Sequence, residues 1–148
     1  MPSSYVTRDC AATPAQVWSV LCDGYRYADW VHGTKEIRSV EDGWPSQGTS
    51  LHFTAGVGPL TFKDRTTSLT CRPGTFLELE AHAWPSGTAR VAILIEKSDT
   101  GSRVTLEEYP LRGPARWLHN PLSAFGFRMR VKLMIDDLLA LAEAEPVG

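Results

Sequence analysis

From Lys35 to Arg112 the apolar residues recur at every second position, and this run constrains the fold more than any other feature. Successive side chains on a strand point to opposite faces, so a period of 2 marks a sheet buried on one side. Leu51, Phe53 and Ala55 alternate with Ser50, His52 and Thr54, and Leu77, Leu79, Ala81 and Ala83 alternate with Glu78, Glu80 and His82. Leu60 and Phe62 lead a longer run to Arg72, Thr88 to Lys97 is apolar on both faces in its middle, and Val104 and Leu106 carry the pattern on. Turn-forming clusters separate the runs: Asp42-Gly43, Gly58-Pro59, Arg72-Pro73-Gly74, Pro85-Ser86-Gly87 and Asp99-Thr100-Gly101. Connections this short join antiparallel neighbours, because parallel pairing needs a long crossover.

Two of these strands change parity. Leu60 and Phe62 are even-numbered but Leu69 and Cys71 odd; Val104 and Leu106 are even but Tyr109 and Leu111 odd. A slip of one residue flips every side chain to the other face, so each strand is expected to carry a bulge or bend. Bends of that kind curve a sheet, and a curved sheet can wrap a cavity.

Helical signals flank the alternating region. Tyr5 to Cys10 is extended in character. Thr13, Pro14 and Gln16 then form a start signal, with Thr13 as N-cap, proline at the first helical position and glutamine at the capping-box spacing. Pro14, Val17, Trp18 and Leu21 follow on one face, Gly24 suits the stop, and a second short helix is expected from about Tyr25 to Val31. At the other end, Asn120-Pro121 opens a helix expected to reach about Glu143, in which Phe127, Val131, Met134, Leu138 and Leu141 form a continuous apolar stripe. The whole reads as α+β: one strand, two short helices, six antiparallel strands, one long helix.

A length of 148 residues suits a single domain, 1–148. Such a chain buries roughly two thirds of its unfolded surface, enough for a core without metals or disulfides. Net charge is -2, without the basic excess of a nucleic-acid binder. Cys10, Cys22 and Cys71 are too few and too scattered for a disulfide framework or a zinc site. Met1 to Cys10 lacks the apolar centre of a secretory segment, and the longest aliphatic run, Val91 to Ile95, is far short of a bilayer span. A cytoplasmic location without membrane insertion is expected; a monomer and a homodimer fit equally.

The segment Ala12-Thr13-Pro14-Ala15-Gln16-Val17-Trp18-Ser19-Val20-Leu21-Cys22-Asp23, with Trp30 seven residues later, resembles the opening of the START/Bet v 1-like (SRPBCC) superfamily. Within it, the likeness is to the polyketide cyclase/dehydrase and lipid-transport group. The stretch from Glu80 to Glu108, with Trp84-Pro85-Ser86-Gly87-Thr88 and Gly101-Ser102-Arg103-Val104-Thr105, resembles the last three strands of such proteins. The resemblance covers nearly the whole chain. It implies a helix-grip fold, a curved seven-stranded antiparallel sheet wrapped around the C-terminal helix with a cavity between them. Relatives bind lipids, sterols, polyketides or hormones, and some cyclise or dehydrate polyketides. No catalytic residue is common to them, so Trp18, Asp23 and Trp30 match the pattern only as scaffold.

Phosphate loop, nucleophile elbow and metal-binding helix signatures are missing, and neither a metal nor a cofactor is expected. The cavity is expected to be lined by Trp30, Phe53, Phe62, Leu79, Ile93, Tyr109, Phe125 and Met129. Asp64 shares parity with Phe62, and Glu108 with Leu106, so both are candidate inward carboxylates. His52, His82 and His119 are candidate acid–base groups, although His52 and His82 sit on polar strand faces. Arg112, Arg116, Arg128, Arg130 and Lys132 surround the start of the last helix, while Asp136, Asp137, Glu143 and Glu145 follow, an order that opposes the helix dipole. Arg116, Arg128 and Arg130 are therefore candidate anchors for an anionic group, with a solvated positive face as the alternative. Gly126, inside the last helix, points to a close approach by backbone or ligand. Three functions remain open. The first is binding of a small, largely apolar metabolite, polyketide- or lipid-like. The others are an aromatase/cyclase or dehydratase of the same fold, and a protein–protein module.

Overall fold

The computed structural model describes residues 4–83, 87–113 and 121–147. Among these residues the chain forms β1 (Ser4–Cys10), α1 (Pro14–Cys22), a 3-10 turn (Gly24–Arg26), α2 (Tyr27–Trp30), β2 (Thr34–Val40), β3 (Ser50–Val57), β4 (Leu60–Arg72), β5 (Phe76–Ala83), β6 (Gly87–Lys97), β7 (Ser102–Arg112) and α3 (Pro121–Ala144). The strands make one antiparallel sheet in the order β1-β7-β6-β5-β4-β3-β2. Consecutive strands from β2 to β7 are neighbours, as their short turns require. β1 and β2 lie at opposite edges, and the segment holding α1 and α2 spans the sheet between them. The curved sheet with its long C-terminal helix is the expected α+β, helix-grip architecture.

α1 begins as its sequence dictates. Gln16 N–H donates to Thr13 Oγ1 at 3.2 Å and Thr13 N–H donates to Gln16 Oε1 at 2.8 Å, so two orphan backbone donors are satisfied by each other's side chains. Gly24 is present for room: a Cβ there would stand 2.8 Å from Val40 Cγ2. The second short helix is a 3-10 turn followed by a single α turn. Trp30 and Trp44 are core residues, both packing on Tyr27 at centroid distances of 4.9 and 5.6 Å. Burial pushes the Tyr27 phenol pKa up, and its hydroxyl donates to Leu21 O at 2.9 Å.

Register shifts bend the sheet. They lie in β2, in β4 between Ser68 and Thr70, and between β6 and β7 where Thr88 and Ala89 meet Arg112 and Pro110. The β4 shift falls inside the strand whose parity changes. The β7 shift comes later than its parity suggested, and this decides where Tyr109 points.

α3 closes the inner face. Val131, Met134, Ile135, Leu138, Leu139 and Ala142 are all buried, at i, i+3, i+4, i+7, i+8 and i+11. The expected stripe contained Val131, Met134 and Leu138; Leu141 is half-buried, and the Phe127 side chain lies outside the described residues, as does Asn120. The stripe is wider than expected because α3 packs on β1 and β7 on one side and on α1 and α2 on the other. Gly126 is exposed, and among the described residues nothing lies within 4 Å of where its Cβ would be, so the close approach inferred from it is not found there.

Tertiary partners explain the charge order of α3. Arg8 meets Asp136 at 3.5 Å, His32 Nε2 meets Asp137 at 2.8 Å, Ala11 N–H donates to Glu143 at 2.9 Å, and Arg26 pairs with Glu145. The acidic half of the helix is read by β1, the α1–α2 segment and the loop after α2, at the expense of the dipole preference.

Candidate functional site

Side-chain size falls along the inner face of the sheet. Leu77, Ile93 and Leu106 stand side by side across β5, β6 and β7, fully buried. The next inner rung is Leu79, Val91 and Glu108, and the one after it is Ala81, Ala89 and Pro110. On β3 the inner row Leu51, Phe53, Ala55 likewise ends on a small residue. Large residues therefore fill one end of the sheet against α3, and small ones leave the other end open.

A cavity of about 360 Å³ occupies that open end. Phe53, Ala55 and Phe62 form one wall, and Ala81, Ala89 and Pro110 another. The loop Val31–Thr34 and Arg130 of α3 complete the boundary, with Thr66 and Glu108 as the inner polar side chains. The volume lies in the range of about 300–1,000 Å³ found for small-molecule sites, and the wall is mostly apolar with a few placed polar groups, as such sites are.

The central polar feature is an ion pair. Glu108 is 1 % exposed, and its Oε1 accepts a hydrogen bond from Arg130 Nε at 2.8 Å. An Arg130 terminal nitrogen also donates to the His32 carbonyl. Arg130 thus ties the loop after α2 to β7, and the His32–Asp137 contact fastens the same loop to α3 a second time. Glu108 Oε2 has no hydrogen-bond partner among the described residues. Trp30 Nε1 shares that condition, but it lies in the core and does not border the cavity.

Of the residues singled out from sequence, the cavity brings together Phe53, Phe62, Glu108 and Arg130. Trp30, Leu79 and Ile93 do not border it; they are buried deeper, where the large residues pack. Tyr109 is on the opposite face. It shares that face with Glu107, and Arg90 stands over its ring at 5.4 Å, because the parity change in β7 takes effect only after Pro110. Met129 is 40 % exposed on α3, one position beside the buried stripe. Asp64 lies opposite Phe53, hence on the inner side, but is half-buried outside the cavity wall, with Oδ1 accepting Arg65 N–H at 2.9 Å.

Arg128 is exposed and does not border the cavity. Arg130 does, and its charge is met by Glu108. Phe125's side chain, Arg116, Trp84, Trp117 and His119 lie outside the described residues. His52 is half-buried beside Glu41 at 3.4 Å, away from the cavity, whereas His82 borders it.

Sequence reasoning missed the loop Val31–Thr34 and the small residues Ala55, Ala81 and Ala89. The available signal was their size: each is the small member at the end of an alternating inner row. Among the described residues no group of three or more His, Cys, Asp or Glu could hold a metal ion, and no helix is long and apolar enough to cross a membrane.

This curved sheet gripping a long C-terminal helix is the helix-grip fold that START/Bet v 1-like proteins share. The chain belongs to the polyketide cyclase/dehydrase and lipid-transport family, whose profile matches residues 1–143. Solved structures with the same fold include MLL2253 from Mesorhizobium loti, 16% identical, with a TM-score of 0.72 over 99% of this chain and 100% of that one. Ara h 8.0201 is 13% identical, with a TM-score of 0.71 over 97% of this chain and 99% of its own. TTHA0849 from Thermus thermophilus is 16% identical, with a TM-score of 0.69 over 97% of this chain and 98% of that one. At these identities the likeness is one of fold. No curated protein matches the sequence significantly.

Proposed function

We propose that this chain binds a small, largely apolar molecule, polyketide- or lipid-like, in the cavity between the sheet and α3. The observation that carries the reading is the cavity itself: inner-face residues shrink in register toward one end, and α3 and the loop after α2 roof the space they leave. An acid–base enzyme is less well supported. Among the described residues the carboxylate bordering the cavity is tied to Arg130 and His32 is tied to Asp137, so His82, which also borders the cavity, has no uncommitted carboxylate there to work with. In this reading residues 1–148 are one ligand-binding domain, and the free thiols of Cys10, Cys22 and Cys71 suit a reducing cytoplasm.

Equilibrium dialysis against 2-methylnaphthalene tests the site. Wild type is expected to take up one molecule per chain, and Ala89→Phe, which fills the cavity, to take up none while keeping its circular dichroism spectrum. No uptake by wild type of either 2-methylnaphthalene or its hydroxyl analogue 2-naphthol, or undiminished uptake by a folded Ala89→Phe variant, overturns the proposal.

A further inference from the structure

The unpartnered Glu108 oxygen indicates what the bound molecule must carry. Glu108 sits in the second inner rung, beside Val91, with its side chain almost wholly removed from water. An ionised carboxylate only accepts hydrogen bonds. One oxygen is satisfied by Arg130 Nε at 2.8 Å, and the other, on a residue that borders the cavity, has no partner among the described residues. A buried acceptor left unmade is costly, and most buried polar atoms in folded proteins are paired. The oxygen is closed to water, and the cavity that Glu108 borders is the nearest space from which a bound molecule could supply its partner.

The charges narrow the choice. Arg130 and Glu108 together are neutral, and Arg130 is further engaged by the His32 carbonyl. An anion entering the cavity would bring like charge to the carboxylate. A cationic amine would leave a net charge among Phe53, Phe62 and Pro110, which a low-dielectric wall disfavours. A neutral donor satisfies the oxygen without either penalty. We infer that the ligand is an apolar molecule bearing a hydroxyl group, an alcohol or a phenol, whose O–H donates to Glu108 Oε2.

This inference rests on the proposed binding function, and the test separates the two. Wild type and Glu108→Gln are titrated calorimetrically near neutral pH with 2-naphthol, the similarly shaped 2-methylnaphthalene, and 2-naphthoate. A hydrogen bond to a charged acceptor corresponds to about tenfold or more in affinity. Wild type should therefore prefer 2-naphthol, and the ratio of naphthol to methylnaphthalene affinity should fall about tenfold in Glu108→Gln, which turns an amide toward the cavity in place of a carboxylate. 2-Naphthoate should bind wild type more weakly than 2-naphthol. If 2-methylnaphthalene binds but the ratio is unchanged by Glu108→Gln, or if naphthoate binds wild type more tightly than naphthol, the hydroxyl inference fails while the binding site stands. If none of the three binds wild type, both fail. Should Glu108→Gln not fold, the order of the three affinities in wild type alone decides between naphthol and its competitors.

Discussion

Removing the guanidinium of Arg130 should expose how far the fold depends on the pair it makes with Glu108. In Arg130→Met the apolar stem is kept and the charge lost, leaving a carboxylate that is 1 % exposed with neither oxygen paired among the described residues. Two unit charges about 4 Å apart interact by about 4 kcal/mol at an effective dielectric of about 20. Deleting one partner of a fully buried pair costs about 3–5 kcal/mol. Because the Arg130 side chain is 32% exposed, water shares the task, and the expected loss is about 2–3 kcal/mol. Glu108→Gln keeps the shape and removes the opposing charge. The double variant Arg130→Met, Glu108→Gln should then be more stable than Arg130→Met alone, since a neutral replacement of a buried pair is often tolerated. Urea unfolding of the four proteins measures the coupling, with the m-value held constant as the check on a shared unfolded state. A coupling of about 2 kcal/mol that survives about 0.5 M salt is expected. Additive single losses, with a coupling below about 0.5 kcal/mol, would show that the contact behaves as an exposed pair and refute the reasoning.

Leu138→Ala, at a fully buried position of α3, should lose about 2–5 kcal/mol in urea unfolding, and a loss below about 1 kcal/mol would contradict its place in the core. Gly56→Ala should destabilise by more than about 1 kcal/mol, because Gly56 has φ +136 and a Cβ would stand 2.1 Å from the Leu60 carbonyl oxygen; a thermal midpoint equal to wild type would count against that geometry. The Glu78 carboxyl is raised by burial but lowered further by its hydrogen bonds from Arg90 and Thr70, so its folded pKa lies below 4.5. Its contribution is therefore complete above the unfolded pKa and lost as pH falls through the folded value. Glu78→Gln should be destabilising near neutral pH and indistinguishable from wild type in strong acid, and an unfolding difference constant with pH would contradict the linkage.

The fold was legible because its signals are local or periodic. Thr13, Pro14 and Gln16 are a start signal whose two hydrogen bonds close within four residues. The alternation on β3 and β5 needs no knowledge of a partner strand to be recognised. The site was legible only in part, because cavity membership depends on pairing between distant strands. Phe53 and Phe62 lie on rows that keep one parity to the cavity. Tyr109 does not, since its facing is fixed by a register shift opposite Thr88 and Ala89 that the β7 sequence does not reveal. Ala81, Ala89 and Pro110 become a wall only when β5, β6 and β7 stand in register. One of the basic residues at the start of α3 has its partner in a distant strand. Arg130 is placed for Glu108, some distance away in sequence, as Asp136 and Asp137 are placed for Arg8 and His32.

A crystal structure of the protein grown with 2-naphthol tests the central claim most directly. The account predicts the naphthyl rings between Phe53, Phe62 and Pro110, with the hydroxyl oxygen within about 3 Å of Glu108 Oε2. Naphthol bound anywhere else on the chain, with this cavity empty or filled by repacked side chains, would contradict it.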